Sequence, residues 1–131
     1  MTTYALDTNI ISYFLREDNT VVSRVRSILN AGNKLIIPPL VYYEVTRGLL
    51  LKDARKQTSA FNKFCQHIPI GEMNLRVLDI AAKIYVERNR TVGDTDTLIA
   101  AFCIVNGYIL VTHNTKDFKD IENLQIVDWT K

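Results

Sequence analysis

The sequence predicts an α/β fold: a central, mostly parallel sheet of about five short strands with helices on both faces, a three-layer α/β/α arrangement. Three observations predict it. Short apolar runs rich in β-branched residues recur at residues 3–6, 35–37, 108–112 and 126–127. Segments with apolar residues at helical spacing lie between them, and such alternation is the pattern of parallel βαβ units. Every run is too short to be the stave of a barrel.

In chain order, residues 3–6 form a buried strand, and Ile10, Ile11, Phe14 and Leu15 follow at helical spacing. Asn19 or Thr20 is placed to cap a second helix bearing Val21, Val22, Val25, Ile28 and Leu29, and Gly32 stops it. Residues 35–37 make the next strand. Pro38 and Pro39 end it, and Pro39 suits the first turn of a third helix holding Leu40, Val41, Glu44, Val45 and Leu49. An amphipathic helix is expected over about residues 54–66. The Pro-broken stretch 68–70 supports at most an edge strand. Asn74 caps a long helix, and Asp94 is placed to cap the next. Residues 98–105 are apolar without interruption, so this helix should be buried on nearly every side. Gly107 ends it, residues 108–112 are the clearest strand, a polar loop covers 113–122, and residues 126–127 form a last strand before Trp129. No repeat, linker or low-complexity tract intervenes, so residues 1–131 are read as one domain.

Composition narrows the class. With 47% hydrophobic and 23% charged residues, the chain has material for a real core and a solvated surface. No apolar stretch approaches the roughly 20 residues that span a bilayer. Asp7 stands where the apolar core of a secretory signal would run, so none is expected. Cys65 and Cys103 lie far apart in apolar surroundings and read as reduced thiols of a cytoplasmic protein. They form no metal-ligand spacing with His67 or His113. A net charge of +2 and a pI of about 8.6 permit nucleic-acid contact without requiring it.

The chemistry lies in acids that the topology gathers. In a parallel α/β sheet, strand carboxyl ends and helix N-termini share one edge, where ligands bind. Asp7 follows the first strand, Asp94 and Asp96 open the most buried helix, and Asn114 and Asp117 follow Thr112 at the end of the clearest strand. Glu44 reaches this rim if its helix face turns inward, as its apolar flanks suggest. Each residue also has a plainer reading. Asp7 or Asp94 can be a helix cap, Glu44 an exposed helix residue, and Asp117 a loop acid. Two carboxylates about 4 Å apart repel by roughly 4 kcal/mol at an effective dielectric near 20. A hard divalent cation offsets that repulsion. Oxygen donors without His or Cys suit Mg²⁺ or Mn²⁺ rather than zinc. The usual chemistry of such a site is phosphodiester hydrolysis by metal-activated water. With Asp7 a ligand, capping of its helix falls to Thr8 or Asn9, which can also stiffen the Asp7 turn.

Leu6-Asp7-Thr8-Asn9, Glu44 after the Pro-Pro exit, Gly93-Asp94-Thr95-Asp96-Thr97-Leu98-Ile99-Ala100-Ala101, and Leu110-Val111-Thr112-His113-Asn114-Thr115-Lys116-Asp117-Phe118 together resemble the PIN-domain ribonucleases. More closely, they resemble VapC-type toxins of bacterial toxin–antitoxin pairs. The resemblance covers residues 3 to about 129. It implies a PIN-like fold and a Mg²⁺- or Mn²⁺-dependent endoribonuclease that inhibits translation by cleaving a structured RNA such as a tRNA anticodon loop. It maps the catalytic acids onto Asp7, Glu44 and Asp96. Asn114 stands where the family often has a fourth acid, so either Asn114 or Asp117 completes the metal set with Asp7, Glu44 and Asp96, and Asp94, Thr8, Asn9 and Thr112 are auxiliaries. It also implies a homodimer and a VapB-type antitoxin that threads a peptide, often with an Arg, into the acidic pocket. Arg16, Arg47, Lys52, Arg55, Lys56, Arg88, Arg90, Lys116 and Lys119 are candidate backbone contacts. Two other readings compete. A phosphoacceptor receiver domain needs a second acid beside Asp7 and a late Lys, and this chain has Thr8, Asn9 and only the terminal Lys131. A catalytically inactive RNA- or partner-binding PIN-like module has no need of the trio Asp7, Glu44 and Asp96.

Overall fold

The computed structural model describes residues 1–131. The elements run β1 (Thr3–Leu6), α1 (Thr8–Leu15), α2 (Asn19–Asn30), β2 (Lys34–Ile36), α3 (Pro39–Lys52), α4 (Arg55–His67), α5 (Leu75–Glu87), α6 (Asp94–Asn106), β3 (Ile109–Val111), α7 (Thr115–Phe118) and β4 (Ile126–Val127). Four parallel strands in the order β2-β1-β3-β4 form the sheet. Seven helices flank it, with α1 packed against α2, α3 and α4, and α5 along α6. The expected fifth strand is reduced to a single bridge between Ile37 and Ile70. Ile37 donates to the Pro69 carbonyl and accepts from the Gly71 N–H, at 2.9 and 2.8 Å. Proline has no N–H to extend that ladder.

The register aligns the strand ends. Ala5 pairs with Ile36, Leu6 with Val111, and Val111 with Val127. The chain therefore places Asp7, Thr112 and Asp128 side by side, each one residue beyond its strand. Asp7 donates its N–H to the Val111 carbonyl, and Thr112 donates its own to the Val127 carbonyl, both at 2.9 Å. From β1 the sheet builds toward β2 on one side and β3 on the other. Asp7 and Thr112 thus flank the point where strand order reverses, the place where open α/β sheets bind ligands.

Twenty-six buried residues form one core, including Leu6, Ile10, Ile37, Val41, Ile99, Leu110, Phe118 and Trp129. Helix α6 supplies Ile99, Ala100, Ala101, Phe102 and Cys103, as its unbroken apolar run predicts. Gly71 lies against Phe102, and a Cβ built on it would stand 2.2 Å from the Phe102 ring. Neither cysteine is in a disulfide, and burial pushes both thiols up. No helix is long and apolar enough to cross a membrane.

Three helix starts differ from expectation. Asp18, not Asn19 or Thr20, caps α2 by accepting the Val21 N–H at 3.1 Å. Gly93, not Asp94, is the N-cap residue of α6, and Asp94 occupies the first helical position. There its charge favours the positive end of the helix without a capping bond. At α1 the cap is Asp7 itself. The loop read over residues 113–122 contains the one-turn helix α7.

Candidate active site

Asp7 is only 4% exposed, yet its carboxylate lies at the floor of a cleft of about 450 Å³. Its backbone is extended, as a cap requires, and Oδ1 accepts the Thr8 N–H at 2.8 Å. Oδ2 accepts the buried Thr112 hydroxyl at 2.8 Å, and the Asn9 amide approaches it at 3.4 Å. A carboxylate has about four lone-pair positions, so capping and facing the cleft are compatible. Capping therefore stays with Asp7 rather than passing to Thr8 or Asn9. Thr8 instead turns its hydroxyl to Glu44 Oε1 at 2.6 Å. Asn9 Oδ1 accepts the His113 N–H at 3.0 Å, tying the turn after β1 to the turn after β3. Thr112 Oγ1 also accepts the Asn114 N–H at 3.0 Å.

Glu44 is half-buried and lines the cleft from α3, one turn from buried Val41 and beside buried Val45. Its helix face does turn inward. Asp96 lines the same cleft from the first turn of α6, and Asn114 lines it from the turn after β3. Four elements distant in sequence thus bring Asp7, Glu44, Asp96 and Asn114 together. Asp117, exposed on α7, lines an adjoining groove with Arg88, Thr91, Gly93, Asp96 and Lys116. Asp96 is common to both. Asp94 is exposed and lines neither.

The electrostatics show that these acids interact. Burial pushes the Asp7 carboxyl up, the Thr112 and Thr8 donors restrain the rise, and the Glu44 charge adds to it. Asp96 is pushed up to about 6, first by burial and then by the charges of Asp7, Asp117 and Glu44. Like charges that raise one another's pKa lack a counterion. Every strong donor among Asp7, Glu44, Asp96 and Asn114 is an oxygen, the set a hard divalent ion takes. In this structure no three His, Cys, Asp or Glu side chains are arranged to bind an ion directly, so an ion at Asp7, Glu44 and Asp96 would be held partly through its own water. Such a rim suits a cation that keeps much of its water, as Mg²⁺ does.

Sequence reasoning passed over one wall of the cleft. Ser12, Tyr13 and Arg16 line it together with Asn9, at the spacing that puts residues on one helix face. In the sequence Arg16 is one basic residue among many, and the stripe at positions 9, 12, 13 and 16 is the signal that sets it apart. His113 also lines the cleft. Its Nδ1 lies 3.2 Å from Asp128 Oδ2 and 3.0 Å from Thr130 Oγ1. Burial alone would raise the Asp128 carboxyl, but bonds from Thr130 and His113 bring it below its ordinary value.

Comparison with known proteins places the fold in a family. The PIN domain family model matches residues 4–124. Over 132 residues the chain is 27% identical to ribonuclease VapC1 of Haemophilus influenzae (strain R2866), covering 98% of each. It is 28% identical over 134 residues to the tRNA(fMet)-specific endonuclease VapC of Shigella flexneri, covering 99% of this chain and 100% of that one. The solved structure of VapBC-1 from nontypeable Haemophilus influenzae superposes with a TM-score of 0.83 at 27% identity, covering 99% of this chain and 100% of the other. With the family pattern running through nearly all its length and the acid-bearing turns gathered at one sheet edge, the chain belongs to the PIN domain family.

Proposed function

We propose that this PIN-domain protein is a Mg²⁺- or Mn²⁺-dependent endoribonuclease, the toxin of a toxin–antitoxin pair, cleaving a structured RNA such as tRNA in the cytoplasm. The observation that carries the reading is the meeting of Asp7, Glu44 and Asp96 at one cleft with Asn114 beside them. Asp7, Glu44 and Asp96 would hold the ion, with Asn114 and Asp117 at its margins. When bound, the ion supplies a water acidic enough to attack a phosphodiester near neutral pH and charge to offset the developing negative oxygens.

The protein's own groups do the rest. Thr112 and the Thr8 N–H fix the Asp7 carboxylate, and the Thr8 hydroxyl fixes Glu44. Arg16 in the cleft, and Arg88 and Lys116 in the adjoining groove, offer cations to the phosphates of a strand crossing Asp96. The Shigella relative's named specificity supports a tRNA substrate. The likeness to VapBC-1 supports a VapB-type antitoxin as partner. The exposed apolar stripe of α3, with Tyr43, Leu50 and Leu51, supports assembly with that antitoxin or with a second copy in a homodimer.

The test is cleavage of RNA with added Mg²⁺ or Mn²⁺, in excess EDTA, and by Asp7→Asn. Asn keeps the capping oxygen of Asp but not the acceptor for Thr112, so the variant should stay folded, melting within about 10 °C of the unmutated protein, while losing cleavage. Cleavage that persists in EDTA or in Asp7→Asn would overturn the reading.

A further inference from the structure

Water-driven hydrolysis of a phosphodiester makes no use of the ribose 2′-hydroxyl, so the chemistry proposed above attacks RNA and DNA alike. Preference for RNA must come from a contact that senses that hydroxyl. We propose that His113 Nε2 accepts a hydrogen bond from a ribose 2′-hydroxyl and thereby sets the preference for RNA over DNA. The inference rests on the endoribonuclease reading.

The neighbours of the ring fix which nitrogen carries the hydrogen. Nδ1 has two neighbours, Asp128 Oδ2 at 3.2 Å and Thr130 Oγ1 at 3.0 Å. The Asp128 carboxylate can only accept. The Thr130 hydroxyl has given its hydrogen to Asp128 Oδ1 at 2.6 Å, so toward His113 it too can only accept. Nδ1 is therefore the donor. In the neutral imidazole this leaves Nε2 as a lone-pair acceptor. Nε2 has no partner within the protein, and the ring lines the cleft that holds Asp7, Glu44 and Asp96.

The ring is held on its other sides as well. Asn9 Oδ1 grips the His113 backbone N–H, and the same Asn9 amide reaches toward Asp7 Oδ2. Tyr13 meets the imidazole edge-on, with centroids 5.9 Å apart and planes at 80°. The Arg16 guanidinium lies 4.9 Å from the centre of the same Tyr13 ring. Phosphate oxygens only accept hydrogen bonds, so Arg16 suits the phosphate. The 2′-hydroxyl is the part of the backbone that can donate, so it suits Nε2.

The experiment measures single-turnover cleavage, with Mg²⁺ or Mn²⁺, of an all-ribose oligonucleotide and of the same oligonucleotide with one 2′-deoxynucleotide beside the cleaved bond. The unmutated protein should favour the all-ribose substrate by about tenfold, the worth of one hydrogen bond. His113→Ala should lose about that factor on the all-ribose substrate and much less on the deoxy one. His113→Gln, whose Oε1 can accept, should keep part of the preference. Asp128→Ala, which frees the ring, should narrow the ratio in the same sense. An equal fall on both substrates in His113→Ala, or an Asp128→Ala ratio like that of the unmutated protein, would overturn the proposal. So would an unmutated protein with no preference. Failure of the unmutated protein to cleave the all-ribose substrate at all would instead overturn the endoribonuclease reading beneath it.

Discussion

Replacing Thr112 by Val keeps the size and branching of the side chain but removes the hydroxyl that links Asp7 to the turn after β3. The hydroxyl is fully buried, donates to Asp7 Oδ2 at 2.8 Å and accepts the Asn114 N–H at 3.0 Å. A hydrogen bond to a charged acceptor contributes about 1.5–3 kcal/mol. At the entropy of unfolding usual for a domain of this length, that loss lowers the melting temperature by about 5–10 °C. The same hydroxyl holds the Asp7 pKa down against burial. The variant's Asp7 should therefore protonate at higher pH, and the stability deficit should be largest near neutrality and shrink on acidification. Cleavage should fall about 10–100-fold, as when a residue that orients a metal ligand is lost. Calorimetry at several pH values and a cleavage assay check this. Thr112→Ser should restore most of both. A Val variant melting within about 1 °C of the unmutated protein, or with a deficit indifferent to pH, would refute the reasoning.

Asp96 gives the pH dependence of the metal-free protein. Its folded pKa lies near 6 against an ordinary 3.8, and Asp7 is raised as well, so between these values the folded state binds more protons than the unfolded. These two groups stabilise the fold in acid, and their contribution is lost as pH rises through about 6. Because Asp96 is half-exposed, the gain from Asp96→Asn at pH 7 is about 1 kcal/mol after screening. It should appear as a higher melting temperature that vanishes near pH 4. Millimolar Mg²⁺ should stabilise the unmutated protein near neutrality and Asp96→Asn less, as differential scanning fluorimetry can read. Gly71→Ala drives a methyl into the Phe102 ring and should cost about 1–3 kcal/mol in urea unfolding. Asp18→Ala removes the cap of α2 and should cost about 1 kcal/mol by the same measurement.

The parallel sheet, its flanking helices and the acid-bearing turns were legible because each rests on a short-range signal. The buried strands carry unbroken apolar runs, Pro39 and Asn74 start helices, and Gly107 stops one in the left-handed conformation. What escaped depends on register or on competition between adjacent residues. The sequence offers Asp18, Asn19 and Thr20 in a row, and only the geometry of the turn selects Asp18. Asp94 looks like a cap, but the chain enters α6 one residue earlier, at Gly93. Asp7 was treated as either cap or site residue, when its two oxygens let it be both. Asp128 and Thr130 went unnoticed because their meeting with His113 depends on β4 pairing Val127 with Val111.

That pairing has a consequence for how such a protein can change. Asp7, Thr112 and Asp128 are three consecutive stations along one sheet edge, and each is a single letter following a strand. Under the proposed function the first station would serve the hydrolytic chemistry, and under the inference about His113 the last would serve the choice of nucleic acid, with Thr112 bonded to the first and lying between them. Substitution at the last station can retune what is cut while the cutting apparatus stays intact. A one-residue slip of the two-residue β4 would exchange Asp128 for a neighbour and move that setting at a single stroke.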